Sequence, residues 1–82
     1  MAKTYYIVET GAISNAGRGE QIVANVLFGS FSRKNAAERK IREYWEKHYS
    51  DAADVPFDDK FHKFYIEDGD SVWTVLIAER NS

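Results

Sequence analysis

Apolar positions along the chain fall into four short runs and one longer segment of helical period. Lys3 to Glu9, KTYYIVE, is rich in aromatic and β-branched residues and too short for a helix. It reads as a first strand, with Tyr5 and Ile7 on one face and Tyr6 and Val8 on the other. Thr10 to Gly19 carries Gly11, Asn15, Gly17 and Gly19 among small residues, the composition of a long hairpin loop. Glu20 to Gly29, EQIVANVLFG, returns as a second strand, with Ile22, Ala24, Val26 and Phe28 on one face and Val23, Asn25 and Leu27 on the other.

The period changes after Phe31. Ser32 is a suitable N-cap, Phe31 before it can staple onto Ala36, and Arg33 to Tyr49 contains no Gly or Pro. Ala37, Ile41, Tyr44, Trp45 and His48 then form one stripe along a helix, suited to lying on a sheet. Glu38 with Arg42, Arg39 with Glu43, Arg42 with Glu46 and Glu43 with Lys47 are spaced for i,i+4 pairing on the outer surface. Ser50 to Lys60 is a second loop, with Pro56 turning Val55 away from helical angles and four Asp lowering its apolarity. Phe61 to Glu67 and Ser71 to Glu79 flank Asp68-Gly69, a strong hairpin signal. With Asp68 and Gly69 as the loop residues, Phe64 opposes Trp73, Ile66 opposes Ser71, Tyr65 opposes Val72 and Phe61 opposes Leu76.

The predicted architecture is therefore α+β: β-β-α-β-β, an antiparallel sheet of about four strands packed on one amphipathic helix. At 82 residues, 44% hydrophobic and 29% charged, residues 1–82 make one domain of ordinary globular composition. A domain of this size buries about 60–65% of its unfolded surface, which leaves one thin core and argues against a deep substrate pocket. The absence of cysteine excludes disulfides, thiolate metal sites and a cysteine nucleophile, and fits a reducing, cytoplasmic setting. Met1-Ala2-Lys3-Thr4 runs into the first strand without an apolar signal core, and no run approaches the ~18 residues of a membrane span, so no membrane association is expected.

Catalytic chemistry has little to draw on. His48 lies on the helix stripe and His62 on a strand, with no nucleophile motif around either, and packed structural histidines are the plainer reading; a shared pair is the enzymatic alternative. Asp51, Asp54, Asp58 and Asp59 lack the alternation and central Gly of a calcium loop and read as a solvated acidic segment, so no metal or other cofactor is expected. Gly17-Arg18-Gly19 has neither a Walker nor a dinucleotide fingerprint around it and reads as a loop tip presenting Arg18.

Charge patterning says more. Net charge is −2, yet Arg33, Lys34, Arg39, Lys40 and Arg42 face only Glu38 in the first part of the helix, while Asp51 to Asp59 hold four acids. Arg33 and Lys34 occupy a first turn where the helix dipole disfavours cations, so a basic patch that meets an anionic surface competes with a merely solvated face. The sheet face away from the helix is a second candidate: Tyr65, Val72, Phe61 and Leu76, joined by Tyr5 or Tyr6, form a homodimer or docking surface unless the loops fold back over them.

Tyr6-Ile7-Val8 in the opening strand, Gly19-Glu20-Gln21-Ile22-Val23-Ala24 after the loop, Ser30-Phe31-Ser32 leading into Ala36, and Ile66-Glu67 followed by Trp73 come in an order that resembles small phage-encoded anti-CRISPR proteins directed at type I surveillance complexes. That resemblance implies a stoichiometric inhibitor, without cofactor or catalysis, that covers a basic guide- or DNA-binding surface of a host complex in the host cytoplasm. The longer second strand and the Ser50 to Lys60 loop depart from the pattern, so no contact residue carries over from it.

The leading expectation is a non-catalytic binding protein of this kind, with Asp58, Asp59, Asp68 and Asp70 among the acids that meet a basic partner. The alternative is a nucleic-acid-binding module using Arg18, Arg33, Lys34, Arg39 and Arg42 on phosphates, with aromatics such as Tyr65 available for contact.

Overall fold

A computed structural model of the chain describes residues 2–15, 19–68 and 71–81. In chain order the elements are β1 (Lys3–Asn15), β2 (Gly19–Phe31), α1 (Lys34–Tyr49), β3 (Phe64–Asp68) and β4 (Ser71–Asn81). They form the expected α+β fold. Every strand pairing is antiparallel and the strand order is β2-β1-β4-β3. The two hairpins thus lie side by side, joined through β1 and β4, the strands with apolar residues on both faces. No helix among the described residues is long and apolar enough to cross a membrane.

The first hairpin is longer than its glycines suggest. Instead of opening into a loop at Thr10, β1 stays paired with β2 from Thr10↔Ala24 to Asn15↔Gly19. Gly11 is a packing position here: it lies opposite Trp73, and a Cβ on it would come within 2.5 Å of Trp73 Cε3. Nearer the helix, Tyr6 pairs with Ser30 but Ile7 pairs with Leu27, so Phe28 and Gly29 bulge out of the ladder. Both have positive φ, 63° and 74°. The bulge removes Phe28 from the alternation expected of it and sets its ring edge-on to Tyr44 of the helix, at 5.4 Å. Beyond it, β2 resumes opposite Tyr5 with Phe31, which packs against the core.

Arg33, not Ser32, is the N-cap of α1; it offers no side-chain hydrogen bond, and only its carbonyl joins the helix, accepting from Ala37 N at 3.3 Å. The first turn has no acidic residue, so the helix dipole is uncompensated there. Ala37 and Ile41 are fully buried against the sheet, and Tyr44, Trp45 and Tyr49 pack around them. His48, expected on this stripe, is exposed instead. At the other end Ser50 Oγ donates to the Glu46 carbonyl at 2.7 Å.

Ile7, Ile41, Val55, Phe64 and Val75 form the buried core. One of the five comes from the segment read as a solvated acidic loop. Residues 50–63 fold back onto the helix side of the sheet, burying Val55 and packing Ala52 and Phe57 against the core. The Trp45 indole Nε1–H donates to the Val55 carbonyl at 2.7 Å, fixing the segment at its middle. Its last part is a tight turn: Asp58 and Lys63 are bridged, His62 N donates to the Asp58 carbonyl at 2.7 Å, and Asp58 Oδ1 accepts from Lys60 N and Phe61 N at 3.0 Å. His62 closes the turn at φ 53°.

Phe61 therefore belongs to this turn and β3 begins at Phe64. The second hairpin pairs Phe64↔Val75, Tyr65↔Thr74, Ile66↔Trp73 and Asp68↔Ser71. That register is offset from the one an Asp68-Gly69 loop would set, but by an even number of residues, so each side chain keeps its expected face.

Replacing Trp45 with Phe removes the donor to Val55 and leaves that carbonyl unsatisfied. The expected cost is about 1–3 kcal/mol of unfolding free energy, measured by chemical denaturation, with faster proteolysis within 50–63 than at any strand.

Candidate binding surfaces

Two flanks of α1 and one face of the sheet carry the features that could bind. The first flank faces the 58–63 turn. Lys34 and Glu38 from the helix, Tyr5 from β1, Ile77 and Glu79 from β4, and Lys60, Phe61 and His62 from the turn line an open cleft of about 230 Å³. Its carboxylates already have partners: Glu38 lies 3.1 Å from His62 Nε2, and Glu79 pairs with Lys3 at 3.6 Å. Lys34 and Lys60 make no ion pair among the described residues.

Beside the cleft, Phe61 is 61% exposed and has a lysine on each side of it in sequence and in space. Lys60 Nζ and Lys63 Nζ lie 5.3 and 5.4 Å from its ring centroid, and Lys63 also lies 5.4 Å from the Tyr65 ring. The neighbouring Tyr65 hydroxyl, as hydrogen-bond partner first and then as a charge, raises the Lys63 pKa above the ordinary lysine value. The tight turn held by Asp58 is what aims Phe61 outward.

This ridge was not among the expected sites. Its signal is the run Lys60-Phe61-His62-Lys63, an aromatic framed by cations, which was divided between a loop and a strand. Arg42 is taken up internally, paired with Asp59 and with Glu46 at 3.1 Å and lying over the rings of Trp45 and Phe57 at 5.5 and 5.1 Å. Arg33, Lys34 and Arg39 are exposed and free of ion pairs among the described residues, Arg33 at the N-cap and Lys34 at the cleft.

Of the acids, Asp58 caps the turn and Asp59 holds Arg42, so the supposed polarity between helix and loop is partly neutralised within the molecule. Asp51 and Asp54 are exposed. Arg18 and Asp70 lie outside the described residues; Asp68 ends β3, and its side chain is likewise outside them.

The second flank of α1 meets β2. Phe28, Lys40, Glu43, Tyr44, Lys47 and His48 line a shallower cleft of about 130 Å³, with Lys40 Nζ 4.9 Å from the Phe28 ring centroid. His48 stacks on Tyr44 at 4.9 Å and His62 lines the other cleft, so the two histidines do not share a site. Among the described residues there is no group of His, Asp and Glu that could hold a metal ion.

The third surface is the sheet face away from the helix. Cross-strand pairing places Tyr6, Val8, Val26, Tyr65, Val72 and Leu76 on it. Val26, Tyr65 and Val72 are 58%, 48% and 49% exposed. The alternative in which loops cover this face fails for residues 50–63, which lie on the helix side. Tyr5 also belongs to the helix side, opposite Phe31 and Glu79, and Phe61 to the turn.

No family model, curated protein or solved structure matches this chain.

Within the second flank, burial first, and then the neighbouring Tyr49 hydroxyl and the Glu9 charge, push the Tyr44 pKa up to about 12 from 10.0. The fold thus favours the neutral phenol. Its contribution is complete below pH 10 and is lost as pH rises through about 12, so stability should fall across that window. Tyr44→Phe should flatten the fall, read as the denaturation midpoint at a series of alkaline pH values.

Proposed function

We propose that this chain is a non-catalytic binding protein that covers a surface of a larger host protein or ribonucleoprotein complex, as a small phage-type inhibitor would. The observation that carries the reading is the Lys60-Phe61-Lys63 ridge beside Lys34. A phenyl ring more than half exposed, framed by two lysines that make no ion pair among the described residues and held outward by a side-chain-capped turn, is a costly thing to present to water and an effective anchor at an interface. The engagement of Asp58 and Asp59 within the molecule moves the contact away from the acidic loop and toward these cations, and the complementary partner surface is anionic. A type I CRISPR surveillance complex, which holds RNA, is the first target to try.

A second reading, a module that binds nucleic acid directly, is favoured by the same aromatic among cations together with the exposed Arg33 and Arg39. Salt separates it from the first: direct phosphate binding weakens steeply between low and physiological salt.

The tagged chain should capture a protein or ribonucleoprotein complex from host lysate at near-stoichiometric amounts, and Phe61→Ala should lower affinity for it about tenfold or more. Capture that persists after nuclease treatment points to a protein surface. Capture lost with nuclease, accompanied by salt-sensitive binding to purified DNA or RNA, moves the assignment to the second reading. Recovery of neither class of partner overturns both.

A further inference from the structure

The open face of the sheet meets the cation ridge only at the β3 edge, where Lys63 lies over Tyr65, and its apolar composition addresses a different partner. We infer that this face is the interface with a second copy of the chain, the two sheets packing face to face with the helices outward.

Area is the first argument. The β1–β4 ladder runs from Lys3↔Asn81 to Ala12↔Val72. Its ten pairs span about 33 Å, and four strands span about 19 Å, so the face projects to roughly 600 Å² before side-chain relief is added. A standard interface buries about 800 Å² per partner, which makes this face of the right order for a dimer. Its centre is apolar: Val8 and Leu76 are cross-strand partners on the two middle strands, with Tyr6, Val26, Tyr65 and Val72 around them.

Charge complementarity is the second argument, and it favours a copy of this chain over an unrelated partner. On its strands, among residues whose side chains are described, this face carries Glu67 and Arg80, and Lys63 lies over Tyr65 at the β3 edge. Glu67 pairs across the ladder with Val72, toward one end of β4, and Arg80 sits toward the other end. Leu76 lies midway between Val72 and Arg80. A two-fold axis crossing the strands at the level of Leu76 therefore brings the Glu67 end of each copy over the Arg80 end of the other. The face is self-complementary in the way an isologous interface requires.

Sedimentation equilibrium of the purified full-length chain tests this without reference to any host partner, so its outcome is separate from the capture experiment above. The wild-type chain should be a dimer. Val72→Glu places a carboxylate in each half of the interface and should weaken dimerisation about a hundredfold or more, with the circular dichroism spectrum unchanged. Should that variant not fold, the rim charges decide: Glu67→Arg or Arg80→Glu alone should weaken the dimer about tenfold, and the two together should restore it. A wild-type chain that stays monomeric at its highest soluble concentration overturns the inference. So does a dimer indifferent to the open-face and rim substitutions, which would locate the contact elsewhere, for instance at the β2 edge.

Discussion

The hydrogen bond from the Trp45 indole to the Val55 carbonyl holds residues 50–63 on the helix side of the sheet. A single 16-residue helix covers only part of a four-stranded sheet, and the core is closed by what the loop adds to it: Val55 fully inserted, Phe57 against Trp45 and Phe64, and Ala52 beside them. Trp45 suits this role because its ring packs as a large apolar body while its one polar atom needs a partner when partly buried. The carbonyl it meets would otherwise lose water as Val55 enters the core. Neither half of the contact is satisfied without the other, so the loop and the helix are fixed together.

Two consequences follow from that placement. The loop's acids come within reach of the helix, where Asp59 takes Arg42, and Asp58 is left to close the turn that aims Phe61 outward. The exposed Phe61 ridge is thus a by-product of how the core is closed. Equally, apolar covering used on one side is absent from the other, which leaves Val26, Tyr65 and Val72 in solvent.

The element order, the antiparallel sheet and the single helix were legible in the sequence because each is written locally: short runs rich in β-branched and aromatic residues in KTYYIVE and SVWTVLIAE, the Asp68-Gly69 turn signal, and the helical spacing of Ala37, Ile41 and Trp45. Departures occur where a distant residue overrides the local signal. Gly11 reads as a loop residue until Trp73 is seen lying against it, and Phe28 reads as a regular strand position until Tyr44 and Lys40 are found beside its ring. The face assignment of β3 survived a wrong register because the error was even. The candidate sites were less legible. Net charge along a segment was visible, but which acids neutralise which bases depends on the fold of 50–63, and Asp58, Asp59 and Arg42 changed meaning once that fold was known.

Helix and loop lie away from the open face, and the cation ridge lies at its β3 edge, where Lys63 rests over Tyr65. If two copies pack through their open faces about the axis inferred above, both helices point outward and β3 lies over β3, which brings the two Lys60-Phe61-Lys63 ridges to the same edge of the assembly. A partner with repeated anionic sites along its length would then meet two ridges held at a fixed distance. Binding at the first site makes the second encounter intramolecular, so overall affinity can rise by orders of magnitude without any new contact. On the proposed function, pairing through the open face would double the ridge with Val26, Tyr65 and Val72, residues that the single copy leaves exposed.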